Sequence, residues 1–137
     1  MMDASLALQK LIAARLKGYS ALTALVPPDD IRDAYGLPER IPGIIIGDGT
    51  TAYDQFKLRT YSDIHIWTDE IGRTEVKKIA SEVRAALSGP AWWDITDHFC
   101  SDLRVTSDRF MRDPRPPHFY AHGVVSVAAI LQERANG

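Results

Sequence analysis

The hydrophobic pattern changes period once, and sharply, in the middle of the chain. From Tyr61 to Thr68 the side chains alternate, with Ser62, Ile64, Ile66 and Thr68 on one parity and Tyr61, Asp63, His65 and Trp67 on the other. That is the signature of a half-buried strand. A few residues on, Val76, Ile79, Ala80, Val83 and Leu87 recur at steps of three and four, forming one stripe on a helix. Gly72 followed by Glu75 predicts where that helix starts, and Ser88, Gly89 and Pro90 predict where it stops. A strand and a helix this close, each with one apolar face, bury those faces together. The stretch 62–90 is therefore the expected nucleus of the fold.

The N-terminal third follows the same logic. Asp3 or Ser5 can cap a first helix whose buried stripe is Leu8, Leu11, Ile12 and Leu16, with Gly18 near its end. Ser20 to Leu25 reads as one or two more helical turns, stopped by Pro27 and Pro28. Ile31 to Tyr35 reads as a short strand, and the apolar run Gly43 to Gly47 as a central strand covered on both faces. Asp48 and Gly49 signal a turn. From Gln55 to Trp67 the strand pattern returns, with Phe56, Leu58, Ser62, Ile64 and Ile66 on one parity. At ~3.3 Å per residue this stretch spans roughly 43 Å, more than the core of a domain this size can cover. Either it breaks at a bulge near Arg59 and Thr60, or residues 48–60 project as a β-hairpin arm with Gly49 to Asp54 at the tip.

After the helix come a short apolar segment, Trp92 to Ile95, and two further strands, His98 to Met111 and Phe119 to Leu131. The second is rich in Val and Ala and so belongs inside the sheet. Between them Arg112 to Pro117 is stiff and polar, able to join antiparallel strands but not expected to pair. Residues 133–137 read as a frayed tail. Together these elements predict an α+β fold, a mostly antiparallel β-sheet with two main helices packed against it. At 137 residues a single domain over 1–137 is expected.

Composition narrows the classes. With 45% hydrophobic and 25% charged residues the chain is ordinary globular protein, not a disordered one. A net charge of -2 lacks the basic excess with which dedicated nucleic-acid binders grip phosphate. The single cysteine, Cys100, rules out an internal disulfide and fits a reducing compartment. No targeting segment and no membrane span are expected: the N-terminus lacks a basic start, and Lys10, Arg15 and Lys17 interrupt its apolar run.

The search for chemistry finds no catalytic constellation. His118 and His122 have a helical metal-ligand spacing but lie at the start of a strand, where four residues cover roughly 13 Å. Zinc needs each nitrogen at ~2.0–2.1 Å, so an extended pair cannot share an ion. Gly47-Asp48-Gly49 lacks the Lys-Ser/Thr of a phosphate loop and reads as a hairpin turn. There is no Gly-x-Ser-x-Gly elbow. Cys100 and His98 fall on one face of a strand, ~6.6 Å apart, too far for a direct hydrogen bond. Asp94, Asp97, Asp102, Asp108 and Asp113 are scattered acids, and Arg73, Lys77, Lys78, Glu82 and Arg84 form the wet face of the helix. Trp67, Trp92, Trp93, Phe110 and Tyr120 suit either an interface patch or the monomer core. No enzyme activity, cofactor or metal is expected.

Four passages, in order, carry a likeness to a known family. They are Leu6 to Gln9 with Tyr19 to Val26; Ile41-Pro42 followed by Gly43 to Gly47; His65 to Thr68 running into Gly72 to Glu75 and Ile79 to Leu87; and Phe110 to Pro114 followed by His122 to Val125 and a closing strand. In this ordered set the chain resembles the tail-completion, or tail-terminator, proteins of long-tailed phages, prophages and gene transfer agents. The likeness covers nearly the whole chain, and departs from the family at Trp92-Trp93 and Arg115-Pro116-Pro117.

The resemblance implies a structural virion protein at the head-proximal end of a tail. Such proteins form a ring, usually six-fold, that ends polymerisation of the tail tube and joins the tail to the head connector. DNA passes through the lumen without specific binding. The implied partners are further copies of the chain, the tail tube protein and the connector or stopper protein. The implied fold is a β-sheet with helices against it. A head–tail adaptor or stopper is the neighbouring alternative, and a small hydrolase the remote one. The expected assembly surfaces are the polar arm, with Asp48, Thr50, Tyr53, Asp54 and Phe56, and the rigid loop, with Arg112, Asp113, Arg115 and His118.

Overall fold

A computed structural model of the chain describes residues 3–33, 37–55, 57–69, 73–88, 93–95 and 97–133; of residues 48 and 93–95 it describes the backbone alone. Helix α1 runs over Ala4–Lys17, α2 over Ser20–Thr23 and α3 over Thr74–Leu87. The strands are β1 (Ile31–Arg32), β2 (Gly43–Tyr53), β3 (Leu58–Thr68), β4 (Trp93–Ile95), β5 (His98–Arg115) and β6 (His118–Glu133). They form one sheet in the order β1-β2-β3-β6-β5-β4. Every pairing is antiparallel except β1 with β2, so the sheet is mixed.

Helices α1 and α3 lie side by side on one face of the sheet. α1 starts where Asp3 accepts hydrogen bonds from the backbone of Ser5 at 3.0 Å and Leu6 at 3.3 Å, and Gly18 ends it. Its buried stripe is Ala4, Ala7, Leu8, Leu11, Ile12 and Leu16; that of α3 is Val76, Ile79, Ala80, Val83, Ala86 and Leu87. Against them the sheet presents Ile44, Ile46, Ile64, Ile66, Val125, Val127, Ala129 and Leu131, all buried. Each Val, Leu or Ile side chain among them contributes roughly 1.5–3 kcal/mol when fully removed from water. The α3 cap is Arg73, one position after the expected Gly72, which lies outside the described residues, as do Gly89, Pro90 and Trp92.

Three expectations need correction. Asp48-Gly49 is not a turn: β2 continues through it to Tyr53, with its register to β3 shifting between Ile46 and Gly49. The hairpin turn comes later, where the Asp54 amide donates to the Lys57 carbonyl at 3.0 Å. β3 runs from Leu58 to Thr68 with no break near Arg59 and Thr60, and Leu58, Arg59 and Thr60 are paired on their other side to Leu131, Ile130 and Ala129 of β6. Second, the strand from Gly43 is one place in from the edge and not central, since among the described residues β1 lies beside it at Ile44 and Ile45. It is nonetheless covered on both faces, with Ile44, Ile45 and Ile46 all buried. Third, Arg112 to Arg115 do pair, opposite Ala121, Tyr120, Phe119 and His118, leaving Pro116 and Pro117 as the turn. β5 is an edge strand there, the place in a sheet where proline is tolerated. Glu133, expected in a frayed tail, ends β6 opposite His98; residues 134–137 lie outside the described set.

Two glycines are fixed by close approach. A Cβ on Gly43 would lie 2.6 Å from both the Arg40 carbonyl and Pro38 Cβ, so the loop before β2 folds back onto the strand start. That loop is tied down by an ion pair between Arg40 and the buried Asp30 at 3.0 Å. A Cβ on Gly49 would lie 2.6 Å from Ser5 Cβ, so the bulged part of β2 sits directly under the start of α1.

Candidate assembly surfaces

The register places the two expected surfaces at opposite ends of the sheet. Leu58 of β3 pairs with Leu131, and Thr68, ten positions on, pairs with Ala121. At ~3.3 Å per step those ends are roughly 33 Å apart. The β2–β3 turn is at the Leu58 end, and the β5–β6 turn at the Thr68 end.

At the first end, Thr50 is exposed opposite Tyr61, and Tyr53, 76% exposed, closes β2 opposite Leu58. Asp54 is exposed in the turn, where its carboxylate accepts from the Gln55 amide at 2.7 Å. Asp48 lies in the bulge, and Phe56 is outside the described residues. Tyr53 and Asp54 thus share the turn region, whereas Asp48 and Thr50 lie further along the strand.

At the second end, β5 and β6 run past β3 by the three pairs Asp113–Tyr120, Pro114–Phe119 and Arg115–His118. Arg112, Arg115 and His118 are exposed, and Asp113 half-buried. Arg115 makes two hydrogen bonds to the Asp113 carboxylate, at 3.1 and 3.2 Å, which raise its pKa further and hold the guanidinium in one orientation. From there it lies 5.7 Å from the Trp67 ring. Phe119 is 56% exposed at this tip, a large apolar side chain that the sequence reading left out of the surface.

Trp67 belongs to a cluster on the face away from the helices. It is 4% exposed although it shares the parity of Asp63 and His65. His122 stacks on it with centroids 3.9 Å apart and planes 9° from parallel, and Tyr120 meets it edge-on at 6.2 Å. His65 Nδ1 lies 2.9 Å from His122 Nε2. His118 and His122, paired by spacing in the sequence, have different partners, since His118 stacks on Tyr120 at 5.8 Å. The sequence signal for this cluster was the aromatic pair Trp67 and Tyr120; the histidine pair needed the strand register.

The nucleophile candidates have the chemistry of core residues. Cys100 is fully buried, its thiol donates to the Asp102 carbonyl at 3.2 Å, and burial pushes its pKa up to about 11, so little thiolate exists near neutrality. His98 is also buried, with Nδ1 3.1 Å from Asp97 Oδ1. Among the described residues no three His, Cys, Asp or Glu side chains are grouped to hold a metal ion, and no helix is long and apolar enough to cross a membrane.

Comparison with known proteins adds two findings. Over 95% of its length the chain superposes, with a TM-score of 0.75 and 20% identity, on 99% of a chain from the virion of a native gene transfer agent particle. At that identity the likeness concerns the fold. No curated protein matches it in sequence. Residues 10–132 match the family described as tail completion protein gp17. That match spans nearly every element from α1 to the end of β6, and the chain belongs to this family of tail completion proteins.

Proposed function

We propose that the chain is a structural tail protein that acts as a tail terminator. Copies close into a ring, of six in the simplest reading, which caps the tail tube, ends its polymerisation and joins the tail to the head connector. Its place is the head-proximal end of the tail. DNA passes through the lumen, and a net charge of -2 suits a channel that must not hold it. A heterologous contact between neighbouring copies closes the ring.

The observation that carries this reading is the placement of two exposed, chemically unlike surfaces at opposite ends of one sheet. The Tyr53–Asp54 turn has an exposed aromatic and an acid; at the Arg112–His118 tip two exposed arginines and a histidine stand beside half-buried Asp113 and exposed Phe119. A protein that binds a tube on one side and a connector on the other needs two such ends in fixed relation. Growth stops because the outer end does not repeat the tube surface.

The test is a pair of substitutions, Tyr53→Ala and Arg115→Ala, assayed for binding to tail tube protein and to connector protein. Both side chains are exposed, so each variant should keep its melting temperature within a degree or two. Each should lose one partner at least tenfold while keeping the other. Loss of neither partner in either variant would place the working surface elsewhere, and binding to portal-side rings alone would favour the adaptor reading.

A further inference from the structure

Three strands bring two histidines, two further aromatic rings and a guanidinium together on the sheet face away from the helices. His65 and Trp67 come from β3, Tyr120 and His122 from β6, and Arg115 from β5. The 2.9 Å contact of His65 Nδ1 with His122 Nε2 requires one nitrogen to carry a proton and the other to offer a lone pair. A neutral pair satisfies this, and so does a pair carrying one extra proton. Two imidazolium rings cannot make the bond at all.

The surroundings oppose that second charge. Both rings are half-buried. Arg109 of β5 faces both of them, and Arg115 faces His122. The acids that face the pair are Asp63 of β3 and Asp113 of β5. Both are partly engaged elsewhere: Asp63 accepts from the Ser126 hydroxyl at 2.8 Å, and Asp113 binds Arg115. On the β2 side the neighbour is Gly47, where a Cβ would lie 3.3 Å from His65 Nε2.

What the pair holds is the hairpin end. His122 meets His65 edge to edge through that bond and stacks its face on Trp67, and Trp67 in turn carries Tyr120 and the Arg115 guanidinium. Ring positions at the tip are therefore linked to the histidine bond through direct stacking.

We infer that the His65–His122 pair is an acid-sensitive clasp on the β5–β6 hairpin end, closed while it carries at most one extra proton and opened by two, which frees the Trp67 stack and the Arg115 contact. Burial chiefly lowers the pKa of His65, with Arg109 adding to it against Asp63. For His122 burial and then His65 lower it from 6.5 to about 4. The unfolded chain therefore binds more protons than the folded one between about pH 4 and 6.5. The clasp's contribution is complete above about pH 6.5 and is lost as the pH falls through about 4. The two rings titrate as a coupled pair.

The test is a nitrogen-15 NMR titration of the full chain from pH 8 down to about 2.5, following the histidine ring nitrogens, the Trp67 indole and the amides of Phe119 to Ala121. His122 should stay neutral well below 6.5 and take its proton near pH 4, with the indole and tip signals moving in that same step. In His65→Asn its midpoint should rise towards 6.5. The wild-type titration decides even if that variant does not fold. A His122 midpoint at the ordinary value, or Trp67 and tip signals that stay still while both rings titrate, would overturn the clasp.

Discussion

Val83 sits in the middle of the buried face of α3, fully out of solvent, and is the simplest measure of how far the core depends on that helix. Truncating it to Ala removes two methyl groups from a packed interior and should destabilise the protein by about 2 kcal/mol, read as a shift in the denaturant midpoint with an unchanged slope. A change below about 0.5 kcal/mol would mean that α3 is loosely held. Single residues of this kind were legible in the sequence because a helical stripe is a local pattern: Val76, Ile79, Ala80, Val83 and Leu87 declare their face from spacing alone. His65 and His122 show the opposite case. They are 57 positions apart, and only the β3–β6 register brings them within 2.9 Å. No local signal carries a diagonal contact between strands. Trp67 has the parity of Asp63 and His65, yet it is buried there because other rings cover it.

At the scale of elements, two of the misread stretches share one cause: a local turn signal was outweighed by pairing. Asp48-Gly49 has the composition of a hairpin turn, but β3 offers partners as far as Leu58, so β2 absorbs the pair as a bulge and turns at Asp54. Arg112 to Arg115 read as a loop because of Pro114, yet β6 supplies partners and β5 is an edge strand at that point. The bulge also has a packing role, because Gly49 passes under Ser5 at the start of α1. Gly49→Val should force α1 and β2 apart and lower stability by about 2 kcal/mol or more, within the range known for overpacking. Proteolysis should then open the chain first at the N-terminal helix. A variant as stable and protease-resistant as the parent would show that α1 does not rest on the bulge. The succession of helices and strands and the capping of α1 followed from periodicity and end signals, which neighbours a few residues away decide; the interior position of β6 followed from its Val- and Ala-rich composition.

At the scale of the molecule, the proposed role makes the sheet a spacer. α1 and α3 cover one face, the Trp67 cluster lies on the other, and the two hairpin turns mark its two ends. Nothing in the sequence reading put those ends opposite one another; that came from the order β2-β3-β6-β5, which sends the two hairpins in opposite directions. The expected surfaces Asp48, Thr50, Tyr53, Asp54 and Phe56 on one side and Arg112, Asp113, Arg115 and His118 on the other thereby become proposals about two separate contacts. Membership of the tail completion family sets the context in which two such contacts are useful. The reading as a ring-forming terminator is tested most directly by native mass spectrometry of the purified chain, alone and mixed with the tail tube protein of the same particle. The account predicts a closed oligomer of the 15.3 kDa chain that binds the tube. A monomer that stays monomeric at high concentration and never joins the tube would contradict it.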